Sequence, residues 1–202
     1  AEWKRIPQAQ CNLVISPWVG LKTAKLLERK YGQPFLHIPE IPIGEEATSA
    51  FIRRVVDFVG IDKAQSEAFI QEESELYYYF LEHFAEFFSE YWFGLPSQFA
   101  VIGDSAYTLA YTKFLSEQIG MIPVRQIITD NPPEKYRESI REQFRHLAEG
   151  VSVEPEFIED GYLVEESLRQ ADFGSGVPLI LGTTWEADVA AEKGGLLIEV
   201  GP

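Results

Sequence analysis

The sequence predicts an α/β protein with a doubly wound parallel sheet, on three observations. From Phe99 onward, strand-like apolar runs alternate with helical segments, the order that gives a parallel sheet covered on both faces. A shorter strand, helix and strand series precedes Pro39. Between the two lies one long helical segment crowded with aromatic side chains. The expected architecture is a partial α/β unit over 1–62, a connecting helix over 63–96 and a Rossmann-like sheet domain over 97–202, truncated at its C-terminus. A chain of 202 residues has room for one complete core and part of another.

Cys11 to Ile15 is a short apolar run followed by Ser16-Pro17. It predicts a strand turning into a helix, with Ser16 as cap and Pro17 at the first helical position, where a missing N–H costs nothing. Leu21, Ala24, Leu26 and Leu27 would face a core, and Gly32 would stop the helix. Phe35 to Ile38 reads as the next strand, and Pro39 and Pro42 make the stretch to Gly44 an extended loop. Glu45 to Val59 is amphipathic, with Ala47, Phe51, Val55 and Phe58 on one stripe.

Asp62 with Gln65 forms a capping box that opens the longest element, running to about Phe93. Its first half is crowded with Glu67, Glu72, Glu73 and Glu75, while aromatic residues from Tyr77 to Phe93 wrap all sides of the second half. That pattern predicts a helix end buried nearly all round, either inside one domain or between packed bodies and against a second subunit.

After Gly94-Leu95-Pro96, strands are expected at Phe99 to Ile102, Val124 to Ile128, Val153 to Ile158, Pro178 to Leu181 and Leu196 to Val200. The intervening helices are Tyr107 to Ile119, a helix opened by Asn131-Pro132-Pro133-Glu134 and running to about Ala148, Tyr162 to Gln170, and Thr184 to Glu192.

Composition narrows the function. Seventeen basic against thirty-two acidic residues leave a net charge of -15, which disfavours nucleic acid and anionic membranes as partners. Cys11 is the single cysteine, so neither an internal disulfide nor an iron-sulfur or structural zinc site can be assembled from thiolates here. His37, His83 and His146 are too scattered for a metal motif. With no membrane-length apolar run and no signal-peptide pattern, a cytoplasmic location is expected. The abrupt ends at Ala1 and Pro202 suggest a piece of a longer protein.

In an open α/β sheet, ligands bind beyond the carboxyl ends of the strands, where strand order reverses. Those ends carry Gly103-Asp104-Ser105, Asp130-Asn131 and Gly182-Thr183-Thr184-Trp185. Each opens a helix whose free N–H groups could receive an anion. The crevice candidates are therefore Ser16, Gly103, Asp104, Ser105, Thr183, Thr184 and Trp185. Gly103 lacks the further glycines of a dinucleotide fingerprint, and there is no Walker lysine. Asp104 with Ser105, and Thr183 with Glu186, are explained well enough as helix caps, the commoner role for such residues. No catalytic or metal-ligating residue stands out.

Three segments carry a family resemblance: Asn12-Leu13-Val14-Ile15-Ser16-Pro17-Trp18, Lys30-Tyr31-Gly32-Gln33-Pro34-Phe35, and Ile41-Pro42-Ile43-Gly44-Glu45-Glu46-Ala47-Thr48. Together with the order of elements they resemble the nitrogenase component 1 family, over roughly residues 11 to 202. That family includes molybdenum-iron protein subunits of nitrogen fixation, cofactor-assembly scaffolds and dark protochlorophyllide reductase subunits. The resemblance implies the end of the second and most of the third of three domains. It implies an intact oxidoreductase that takes electrons from an ATP-dependent iron protein, passes them through iron-sulfur clusters, and pairs with a homologous component 1 subunit. Ser16 stands where the cofactor-bearing subunit has its cysteine, and Gly103-Asp104-Ser105-Ala106 lacks the arginine of that subunit's cofactor turn. Both departures favour a β-like subunit or a nitrogenase-like protein, and no cluster ligand is carried over. The chain alone is expected to be inactive scaffold and contact surface. A cofactor-assembly scaffold and a stand-alone small-anion or nucleotide-binding module are the alternatives.

Overall fold

The structure is a computed structural model that describes residues 2–90 and 95–200. Tyr91, Trp92, Phe93 and Gly94, expected at the end of the long helix, lie outside the described residues, as do Ala1, Gly201 and Pro202. A short 3-10 helix, Glu2–Gln8, precedes the first strand. Strands β1 (Asn12–Ile15) and β2 (Phe35–Ile38) pair in parallel, Asn12 opposite Phe35 and Ile15 opposite Ile38. Helix α1 (Leu21–Tyr31) connects them and ends at Gly32, whose φ of 67° places it in the left-handed region that glycine tolerates.

Two details of this unit correct the sequence expectation. Helix α1 begins at Leu21 rather than Pro17, with Gly20 as its N-cap. Ser16 Oγ instead accepts from the N–H groups of Trp18 and Val19, closing a turn ahead of the helix. Leu21 and Ala24 are buried, but Leu26 points outward, because the helix covers only one face of a two-stranded sheet.

Helix α2 spans Glu45–Val59 as expected. Helix α3, Lys63–Glu90, packs chiefly on α2. Its cap is simpler than a reciprocal box: Asp62 Oδ1 accepts from Ala64 N–H, and Ser66 Oγ donates to the Asp62 carbonyl. The aromatic half is not buried all round. Leu76, Tyr78, Tyr79, Phe80, Phe84 and Phe87 are all exposed, since the main packing of α3 is on α2, along one side of the helix.

The second sheet holds β3 (Gln98–Gly103), β4 (Ile122–Ile128), β5 (Glu156–Phe157), β6 (Leu179–Gly182) and β7 (Leu196–Glu199). Their order is β5-β4-β3-β6-β7, with every pairing parallel. This is a doubly wound, Rossmann-like sheet. Alternate residues of each strand face opposite sides. Ala100, Ile102, Ile127 and Ile180 pack with Leu168 of α6 (Gly161–Gln170) and Val189 of α7 (Ala187–Glu192). Phe99, Val101 and Leu181 pack on the other face with Leu115 and Met121. There too, Leu109 of α4 (Ser105–Lys113) and Ile128 meet Ile140 and Phe144 of α5 (Glu134–Arg145).

Boundaries differ from expectation at several places. Strand β5 is only two residues long, at the sheet edge. The helix expected to run to Ile119 ends in a π-helical turn, Phe114–Gln118. Asn131 does not cap α5: it has φ 44°, and its Oδ1 accepts from Arg137, while Pro133 holds the cap position. The two prolines before Glu134 hold the chain extended, which turns the Asn131 side chain away from the helix start.

Candidate functional site

Strand order reverses between β3 and β6, so their carboxyl ends lie side by side at the switch point. Gly103 ends β3, and Asp104 then caps α4, its Oδ1 accepting from Ala106 N–H at 2.8 Å and Tyr107 N–H at 2.9 Å. The remaining early donor, Ser105 N–H, goes to Asp130 Oδ1 at 3.1 Å, and Ser105 Oγ donates to Asp130 Oδ2 at 2.8 Å. Two carboxylates thus consume the donors that an incoming anion would need, and they place negative charge where it would sit.

At the end of β6, Thr183 forms a capping box with Glu186. Its N–H and Oγ–H both donate to Glu186 Oε2, at 2.6 and 2.9 Å, and Trp185 N–H donates to Thr183 Oγ. Glu186 is buried and fills the space above Gly182, where a methyl group would lie 2.7 Å from its carboxylate. Thr184 is exposed, and the Trp185 ring is 80% exposed beside this end of the sheet.

Ser16 is buried, with its carbonyl oxygen 2.8 Å from His37 Nε2. Its turn delivers Trp18 to the larger sheet, where Trp18 Nε1–H donates to Asp130 Oδ2 at 2.8 Å. Ser105, Asp130 and Trp18 therefore form one cluster. Among the described residues no hydrogen bond joins Ser16 to Thr183, Thr184 or Trp185.

A second feature was not legible as a site in the sequence. A pocket of about 190 Å³ lies between the Ile41 to Ala47 segment and the end of α4, lined in part by Glu40, Glu46, Lys113, Phe114 and Glu117. Lys113 Nζ lies 2.7 Å from Glu40 Oε2. Burial holds the Glu117 carboxyl above the usual range, with Lys113 opposing the shift. Gly44 adopts φ +81°, and a methyl there would lie 2.5 Å from Phe114 Cδ2. Beside it, Glu45 accepts from Ser49 Oγ, Ser74 Oγ and Tyr78 OH, tying α2 to α3. The donors from Ser74 and then Ser49 hold the Glu45 carboxyl below its ordinary value. The run Gly44-Glu45-Glu46 was the available signal, and what it holds together is a helix junction.

The residues do not fit an iron-sulfur cluster. Among the described residues no group of three or more His, Cys, Asp or Glu side chains is placed to hold a metal. Ser16 Oγ faces its own turn. Cys11 is half-buried, and His37, His83 and His146 each bond to a backbone carbonyl through a ring nitrogen. Among the described residues, no helix is long and apolar enough to cross a membrane.

The fold is thus a Rossmann-like sheet with a capped switch point, preceded by a smaller parallel unit. The family model for Nitrogenase component 1 type Oxidoreductase matches residues 1–202, and the chain belongs to that family. Among curated proteins it is similar to the B subunit of the light-independent protochlorophyllide reductase of Bradyrhizobium sp. strain BTAi1. Identity there is 31% over 195 residues, covering 96% of this chain and 34% of the relative. The corresponding reductase subunit of Bradyrhizobium sp. strain ORS 278 is 29% identical, covering 96% and 33%. That of Halorhodospira halophila is 28% identical, covering 95% and 32%. The chain thus spans about a third of the length of the curated relatives it matches.

Proposed function

We propose that this chain is the scaffold and subunit-contact part of a nitrogenase-like reductase, of the same kind as these protochlorophyllide reductase relatives. In the intact protein, electrons from an ATP-dependent iron protein would pass through an iron-sulfur cluster to a reducible substrate. The cluster ligands would come from residues outside this chain and from a homologous component 1 subunit. The names of the relatives make protochlorophyllide the substrate to test first. Residues 1–62, 63–96 and 97–202 would act as a partial α/β unit, a connecting helix and a sheet domain, in a cytoplasmic complex.

The observation that carries this proposal is the exposure of α3. Leu76, Phe80, Phe84 and Phe87 present apolar surface on one helix, of the kind that oligomer interfaces cover. The test is reconstitution: the full-length protein, co-expressed with its partner subunit and supplied with iron protein, ATP and reductant, is expected to consume protochlorophyllide. The 202-residue chain alone should show no turnover and hold no iron. Turnover by the chain unaided, or a tightly bound cluster on it, would overturn the proposal.

A further inference from the structure

Four of the exposed apolar residues of α3 form a stripe. At 100° per residue, Phe69, Leu76, Phe80 and Phe87 fall within about 40° of one another and extend about 27 Å along the axis. Their exposures are 51%, 50%, 62% and 51%. The stripe lies roughly a third of a turn from the side facing α2, where Ile70 is buried and Ser74 bonds to Glu45.

Charge around the stripe has one sign. Helix α3 carries seven glutamates, and the sequence has no lysine or arginine between Lys63 and Lys113. Arg53 of α2 pairs with Glu67. Among the described residues none of the other six (Glu72, Glu73, Glu75, Glu82, Glu86 and Glu90) is in an ion pair. Glu72, Glu86 and Glu90 lie on the flank away from α2, and Glu73 interrupts the stripe itself.

From this geometry we infer that the α3 stripe docks an amphipathic helix of a different protein, whose apolar seam is bordered by lysine or arginine. The inference rests on the subunit-contact role proposed above and names the chemistry of the contact. An apolar seam with charged borders is how paired helices choose partners. A second copy of this chain would set acidic flank against acidic flank in a protein of net charge -15, and like charges opposed across an interface exclude such a partner.

The test uses the 202-residue chain and three helical peptides of about 21 residues, long enough to follow about 27 Å of stripe. One has a leucine seam with lysine borders, the second has the same seam with glutamate borders, and the third is a scramble of the first that keeps its charge. The lysine-bordered peptide is expected to bind with a Kd of about 10 μM or tighter, and at least about tenfold more tightly than either of the others. The doubly substituted chain Leu76→Ser, Phe80→Ser, which leaves charge unchanged, should lose at least about tenfold in affinity while its circular dichroism stays the same. Equal binding of the scramble, binding unaffected by the double substitution, or a dimer of the chain in sedimentation that the double substitution dissolves would each overturn the inference. Reconstituted turnover by a full-length protein carrying both serines, at the unsubstituted rate, would remove this docking surface and leave the reductase role standing.

Discussion

Trp18 Nε1–H donates to Asp130 Oδ2 at 2.8 Å, joining the turn after β1 to the loop after β4 across 112 positions of sequence. The same carboxylate accepts from Ser105 N–H and Ser105 Oγ, and the Trp18 ring stacks on Tyr136 of α5 with centroids 6.4 Å apart. One aspartate thereby couples the small parallel unit to the crest of the larger sheet.

Replacing Trp18 by phenylalanine should keep the stacking and remove one hydrogen bond, at about 1–2 kcal/mol by urea denaturation. Asp130→Ala should cost more, about 2–4 kcal/mol, because it strands three donors. In the double substitution the losses should be less than additive by about 1 kcal/mol. Full additivity would mean that the contact does not form in solution.

Gly44 and Gly60 make a matched pair. Both have positive φ, +81° and +75°, but a methyl at Gly44 would meet Phe114 and Gln118 whereas Gly60 has open space around it. Gly60→Ala should cost about 1 kcal/mol from backbone strain alone. Gly44→Ala should cost about 3 kcal/mol or more, as strain and overpacking add. Equal thermal shifts for the two variants would disprove the close approach of α2 to the π turn.

Glu45 and Glu117 predict opposite responses to pH. The Glu45 carboxyl is held low by hydroxyl donors, so its contribution is complete above the ordinary carboxylate pKa and is lost as pH falls through the folded-state value. Glu117 is held high by burial, so the folded state binds its proton more tightly and stability falls as pH rises from the ordinary value through the raised one. Urea midpoints between about pH 3 and pH 7 should show Glu45→Gln less stable at neutrality with a flatter acid limb. Glu117→Gln should be more stable at neutrality. A loss of neutral stability in Glu117→Gln would rule out the burial argument.

At the switch point, Asp104 and Asp130 occupy the start of α4. Calorimetry with phosphate, sulfate or nucleotides at millimolar concentration should therefore give no heat of binding. Asp104→Ala should cost about 1 kcal/mol, the usual value of a helix cap. Saturable anion binding by the unsubstituted chain would reverse this assignment and restore the crevice as a ligand site.

The sequence by itself determined the class of fold, the order of its elements and their approximate limits, because hydrophobic period, glycine stops and acidic caps act over a few residues. Asp104 as the cap of α4 and the Thr183 to Glu186 box were legible for that reason. Ser16 and Asn131 were misassigned as caps because the chain path on either side, set by Gly20 and by Pro132-Pro133, decides where a helix can start. Only the tertiary structure decided that Asp130 serves Trp18 and Ser105 together, that Gly44 is pressed against Phe114, and that the aromatic side of α3 is left exposed. Each of these depends on which distant segments meet, and local periodicity carries no information about a neighbour far away along the chain.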